Sequence, residues 1–271
     1  MIALGRRLHP VVLIGLLVLI LLAVSPWLAA IDPLKLSVAD RLKPPSFRHL
    51  FGTDDFGRDV FARVAHGARL SLLIGFLVTA LATSLGTLIG LAAGFFRRAD
   101  PFLARLLDAM MAFPDILLAV ALMAAFGSNL GNVVAALGLV YAPRVARVVR
   151  AATFAQRSAL FVEAAVSMGA SNTRILLVHV LPNILPLLFV QATFVFAYAL
   201  LTESALSVLG VGVPPEVPTL GNMIAAAQLY FDDATWIMLF PGVAIALAVM
   251  SLQMVGDGLR DSLDPVLRSA Q

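Results

Sequence analysis

Residues 163–183, EAAVSMGASNTRILLVHVLPN, decide how this chain is read. In the C-terminal two thirds it is the one long segment that is neither a clean apolar run nor an obvious turn. Apolar runs flank it on both sides, which places it at a membrane surface. Its residues spell a short helix, a break and a second helix. Gly169 is the expected break, because glycine ends a helix in left-handed geometry at little cost. Ser171 or Asn172 is placed to cap the next turns, and Pro182 to close the second piece. Ala164, Ala165, Gly169 and Ala170 give the hairpin a small-residue surface that another protein can approach closely. Glu163 stands at the start of that surface, within reach of a basic or amide partner. Charge and pattern alone leave an ordinary surface loop as an equal alternative.

The surrounding composition sets the solvent. The 271 residues are 61% hydrophobic and 13% charged, with a mean hydropathy of +0.96. Soluble chains carry about 25% charged residues, so the surplus apolar surface requires hydrocarbon. The expected class is an all-α integral membrane protein. A net charge of +3 without a basic tract or aromatic–basic interleaving argues against nucleic acid. The absence of cysteine removes disulfides, thiolate metal sites and cysteine nucleophiles together.

Working outward, six apolar spans emerge. Arg6 and Arg7 precede a run from Val11 to Ala30, about 20 residues, too long for a signal-peptide core of about 7–15. It reads as a retained first helix (1–31). A polar connector (32–69) follows, in which Val60, Phe61 and Val64 have the spacing of an amphipathic piece lying on the membrane. A second span covers Leu70 to Phe96. Gly86, Gly90 and Gly94 fall four residues apart there and line one face, the pattern that lets another helix come close in lipid. That face serves either a helix contact within the chain or a subunit interface.

Arg97, Arg98 and Arg105 mark a basic connector before a short third span, FPDILLAVALMAAF. Gly127–Gly131 turns into a fourth span, Asn132 to Val149. Arg144, Arg147 and Arg150 recur every three residues near its end, where snorkelling to the interface is cheap. Asp108 and Asp115 read as interfacial. A fifth span runs from Ile184 to Leu209 and a sixth from Ile237 to Val255, followed by a polar tail (259–271). Alternating loops put 12 Lys/Arg on the side of the termini and seven on the other, all in the connector. Cytoplasmic termini follow, with the hairpin on the cytoplasmic side.

Enzymatic motifs are missing. Both lysines, Lys35 and Lys43, follow leucine, so there is no Gly-Lys phosphate loop. The histidines lack the i,i+4 pairing of zinc hydrolases, and no GxSxG turn occurs. Glu203 is the one acidic residue well inside a span. Two readings stand: a proton-relay carboxylate, or a neutral or hydrogen-bonded group packed near Thr202 and Ser204.

The quoted stretch resembles the EAA loop of permease subunits from binding-protein-dependent ABC importers. Glu163, Ala164, Ala165, Gly169, Leu181 and Pro182 fill the positions of that pattern, and His179 stands where an apolar residue is usual. GTDDFGRDVFARVAHGARLSL, AFPDILLA, LTESALSVLGVGVPP and GDGLRDSLDP are similar to the dipeptide/oligopeptide/nickel subfamily, specifically the second of its two permeases. TLGNM departs from it, with Leu220-Gly221 where Trp-Gly is frequent. The resemblance implies a type I importer permease core (70–258) in a bacterial cytoplasmic membrane, itself non-catalytic and binding no cofactor. It implies a homologous second permease, two cytoplasmic ATPases carrying ATP and Mg, and an extracytoplasmic substrate-binding protein. The Glu163–Asn183 hairpin would then be the coupling helix. The glycine face and the fifth span would be walls of the subunit interface or pathway.

Overall fold

The computed structural model describes residues 10–28 and 32–263, and the described residues contain helices but no strand beyond one isolated bridge between Thr53 and Asp59. The helices are α1 (Pro10–Leu28), α2 (Val60–Phe95), α3 (Asp100–Met111), α4 (Asp115–Phe126), α5 (Leu130–Arg157) and α6 (Leu160–Ser167). A short α7 (Asn172–Arg174) leads through a π-turn at Ile175–Val180 into α8 (Leu181–Val208), and α9 (Leu220–Ala227) and α10 (Trp236–Leu263) complete the set. Among the described residues, five helical stretches are long and apolar enough to cross a membrane: Pro10–Trp27, Val60–Phe95, Leu130–Arg157, Asn172–Val208 and Trp236–Asp261. α3 and α4, bent by 90° at Ala112–Pro114, make a sixth if counted together. The short third span of the sequence is thus the second arm of an elbow. Residues 1–9 with Arg6 and Arg7, residues 29–31 and the end of the polar tail lie outside the described residues.

Among the described residues, two larger apolar clusters and a small third one around Leu200, Ala248 and Leu252 organise the bundle. The largest joins α2, α4, α5 and α8 through Ile74, Val78, Met123, Leu137, Tyr141, Leu188 and Leu206. The second joins the start of α2 to α9 and α10 through Val60, Ala68, Leu220, Met223 and Ile237. It also corrects an expectation. Val60, Phe61 and Val64 do not belong to a separate surface helix, because α2 begins at Val60 and runs unbroken into the span. Val60, Ala62, Val64 and Ala65 are buried instead of lying along lipid.

The connector ahead of α2 is folded, not merely polar. Asp59 caps α2 by accepting from the Ala62 amide at 2.9 Å and meets His49 Nδ1 at 2.9 Å. The buried Asp54 carboxylate accepts from the Phe56 and Arg58 amides and from Arg58 Nε at 2.6 Å. Trp236 Nε1 ties the connector to α10 by donating to the Thr53 carbonyl at 3.1 Å, and Phe51 stacks on Phe240 at 3.9 Å. Lys43 and Ser37 donate to the Asp40 carboxylate at 2.6 and 2.7 Å, which holds its pKa down to about 2. An acidic group stabilised in its charged form this way remains ionised across the physiological range.

The glycine stripe is occupied within the chain. A Cβ on Gly86 would meet Val145 and the Ala142 carbonyl at 2.5 and 2.8 Å, and one on Gly94 would meet Thr153 at 2.6 Å. α2 and α5 are therefore in backbone-to-backbone contact along this face, as small-xxx-small packing in lipid requires.

Candidate functional site

The hairpin stands at one end of the bundle, between α5 and α8. α6 begins after Ala159 with Glu163 in its first turn, where a negative charge is favoured by the helix dipole. It ends in a complete Schellman motif. The Gly169 amide donates to the Val166 carbonyl at 2.9 Å and the Ala170 amide to the Ala165 carbonyl at 3.0 Å. Gly169 has φ +79°, the left-handed conformation that this cap demands. Ser171 then caps α7 through its hydroxyl, which accepts from the Arg174 amide at 3.4 Å.

The second half differs from the expectation in one respect. Pro182 does not close the hairpin; Asn172–Val208 is one continuous helical stretch. Proline lacks an amide hydrogen and its ring clashes with the carbonyl four residues back in a regular α-helix. The π-turn immediately upstream relieves that clash by widening the helix, with the Leu181 amide donating to Leu176. Asn183 Nδ2 donates to the His179 carbonyl at 2.6 Å and satisfies that helical acceptor. The hairpin thus feeds straight into the fifth span without a joint.

Its inner side is anchored. Val162, Ala165, Ile175 and Val180 are buried in the same cluster as the spans, with Ala170 and Leu181 packed against its edge. Burying an aliphatic side chain of this size is worth roughly 1.5–3 kcal/mol, so the hairpin and the bundle move as one piece. Its outer side is open. Glu163, Ala164 and Gly169 are exposed, and a Cβ on Gly169 would meet nothing within 4 Å. Around them Leu160 is 83% and Met168 81% exposed, with Val166 also uncovered. These apolar side chains form an uncovered patch at the tip of the hairpin. Between the hairpin and the end of α2 lies a cavity of about 580 Å³, lined by Phe95, Phe96, Arg97, Arg98, Arg157, Glu163 and Val166. Of the four small residues expected to form one approachable surface, Ala164 and Gly169 are exposed with Glu163 and the apolar tip, whereas Ala165 is buried in the bundle's cluster and Ala170 packs against it.

A model of the family described as "Binding-protein-dependent transport system inner membrane component" matches residues 82–269, a stretch that includes the whole hairpin. This chain belongs to that family. A putative peptide transport system permease protein of Brucella suis biovar 1 is 48% identical over 264 residues, covering 97% of this chain and 89% of that protein. The dipeptide transport system permease protein DppC of Alkalihalophilus pseudofirmus is 42% identical, covering 95% and 86%. The di/tripeptide transport system permease protein DppC of Pseudomonas aeruginosa is 44% identical, covering 91% and 84%. Among solved structures, an inward-facing MetNI methionine ABC transporter chain superposes with a TM-score of 0.62 at 19% identity, covering 77% of this chain and 96% of that one. The last similarity speaks to the fold of this inner-membrane component alone.

Two charged features of the family member lie away from the hairpin. The α5 arginines do not simply snorkel. Arg144 donates to Asp115 at 2.5 Å, Arg147 to Asp108 at 2.6 Å and Arg150 to Asp100 at 2.5 Å. These three ion pairs join α5 to both arms of the α3–α4 elbow. Sequence reasoning placed both sets of residues but did not join them. No local pattern signals the pairing, because Asp115 lies beyond the 90° elbow from Asp100 and Asp108 and the arginines recur at a different step. Glu203 is 1% exposed and accepts from the Ser207 hydroxyl at 3.2 Å, with the Thr219 side chain also beside the carboxyl. Thr202 and Ser204, its expected neighbours, bond elsewhere, to Tyr141 and to the Leu200 carbonyl.

Proposed function

We propose that this chain is a transmembrane permease subunit of an ATP-driven importer of peptides. The observation that carries the reading is the hairpin, capped at Gly169, anchored inside by Val162, Ala165, Ile175 and Val180, and apolar and uncovered outside. In this reading Glu163, Ala164, Ala165, Gly169, Ala170, Leu181 and Pro182 form the coupling loop, seated in a groove of a cytoplasmic ATPase. A homologous second permease supplies the other half of the pathway and an extracytoplasmic binding protein delivers the cargo. ATP and Mg are held by the two ATPases, and this chain has no catalytic step. Both termini and the hairpin are cytoplasmic. The peptide cargo follows the relatives, three of which are named as peptide, dipeptide or di/tripeptide permeases.

The mechanism follows from the rigid connection. A displacement of α6 by the closing ATPases passes through the packing of Val162 and Ala165 against Ile175 and Val180 into the continuous Asn172–Val208 helix, and into α5 through the shared core. The bundle is then a bistable assembly biased from one side by nucleotide and from the other by the loaded binding protein. A proton-coupled transporter built on Glu203 is not supported. The family is one of binding-protein-dependent systems, and the carboxyl is enclosed. The reading is tested by co-expressing the chain with its candidate ATPases and purifying the assembly from membranes. Stoichiometric ATPase with the unaltered chain and none with Gly169→Asp is the expected result. Uptake by the chain alone overturns it.

A further inference from the structure

The Arg144–Asp115 pair sits where an ion pair is hard to keep. The turn joining α4 to α5 is polar and exposed, with Asn132 Nδ2 donating to the Phe126 and Gly127 carbonyls, and so marks an aqueous boundary. From that turn, α4 reaches back 12 residues to Asp115, about 18 Å at 1.5 Å per residue. Along α5 the distance from Leu130 to Arg144 is about 21 Å on the same rise. A hydrocarbon layer is about 30 Å thick, so both routes set the pair inside it.

Yet the pair is not enclosed. The Arg144 and Asp115 side chains are 38% and 29% exposed. Tyr198, whose ring lies 5.3 Å from the Arg144 guanidinium, is 49% exposed. The exposed face of α1, by contrast, is apolar, with Leu13, Leu17 and Ile20 each more than half exposed. Charged side chains in contact with lipid tails are strongly disfavoured, and those found at this depth face a bundle interior or a water-filled cavity. This face of α4, α5 and α8 therefore looks onto water.

Its chemistry is specific. Among the described residues, the only hydrogen bond of the Arg144 guanidinium goes to Asp115. A guanidinium has five N–H donors in a planar fork, which leaves donors for a second carboxylate. Asp115 has a further oxygen for an ammonium. A peptide in its zwitterionic form presents both groups. We propose that Arg144 and Asp115, with Tyr198 beside them, form a contact site for the charged groups of a peptide on the wall of the translocation pathway. The inference rests on the peptide-importer reading above.

The chain has no cysteine, so Tyr198→Cys gives this subunit a single thiol. In the complete importer reconstituted in lipid vesicles, a charged methanethiosulfonate reagent is expected to label that thiol. A thiol at Ile20, on the apolar face of α1, is expected to stay unlabelled. Uptake is then measured with the binding protein saturated in turn by an acidic and a basic peptide of equal length. Arg144→Gln is expected to lower the acidic-to-basic rate ratio and Asp115→Asn to raise it, each about fivefold, the scale of one unit-charge contact across water. A purely structural ion pair predicts equal loss for both peptides in both variants. That result, or an unreactive Tyr198→Cys thiol in an active importer, overturns the proposal. An unaltered importer that moves no peptide overturns the function reading instead. If Arg144→Gln fails to assemble, Arg144→Lys keeps the charge and is expected to keep the ratio, so a ratio altered in Arg144→Lys and unmoved in Asp115→Asn also overturns it.

Discussion

A methyl group on Gly90 would sit 2.6 Å from the carbonyl oxygen of Ala146. α2 and α5 thus meet with nothing between their backbones, and the same holds one turn either side at Gly86 and Gly94. A side chain at Gly90 must push the helices apart. Gly90→Ala is expected to destabilise the purified subunit by about 1–3 kcal/mol, the usual cost of overpacking a tight contact. Gly242→Ala in α10, where a Cβ meets nothing within 4 Å, is the control and is expected to be neutral or mildly stabilising. Thermal unfolding in detergent separates the two.

The Gly169 cap makes a different demand. Nothing would clash with a side chain there, so a penalty can only come from the backbone at φ +79°. Gly169→Ala is expected to cost about 1–2 kcal/mol locally, and Gly169→Asn less, because asparagine tolerates the left-handed region. Hydrogen exchange of the 163–175 amides checks the order Gly, Asn, Ala. ATPase retention is expected to follow the same order.

Glu203→Gln is expected to leave ATP-driven uptake and its pH dependence unchanged. Glutamine keeps an oxygen for the Ser207 hydroxyl and carries no charge in an enclosed site. Uptake driven by a pH gradient and abolished by this substitution would instead assign the carboxyl a transport role.

Asp40 makes the folded connector acid-sensitive. Its pKa falls from 3.8 to about 2 on folding, chiefly through Lys43 and Ser37. A depressed acidic pKa contributes stability that is complete above the unfolded value and is lost as pH drops through the folded one. Proteolysis within residues 37–54 is therefore expected to be constant from neutral pH to about 4 and to rise between 3.8 and about 2. Asp40→Asn is expected to remove that rise.

Much of this arrangement was legible in the residues. Apolar runs of span length gave the helix inventory, Gly169 gave the break and Ser171 the cap, because each rests on local chemistry. The elbow at Ala112–Pro114 showed only as a span too short to cross. What stayed hidden was non-local. The partners of Arg144, Arg147 and Arg150 lie 29 to 50 residues away, and only packing brings them together. The continuity through Pro182 was hidden for the opposite reason. Proline ordinarily ends helices, and the π-turn that accommodates it leaves no pattern in the sequence.

The central claim, that the Glu163–Asn183 hairpin is the element through which ATPases drive this subunit, is tested most directly at Met168. Met168 is 81% exposed at the tip, and the chain offers no competing thiol. A Met168→Cys subunit, reconstituted with its partners, is cross-linked to a cysteine in the ATPase groove with and without nucleotide. The account predicts efficient cross-linking to the ATPase, with a yield that changes when ATP binds. Absence of the cross-link in an importer that still couples ATP hydrolysis to uptake would contradict it.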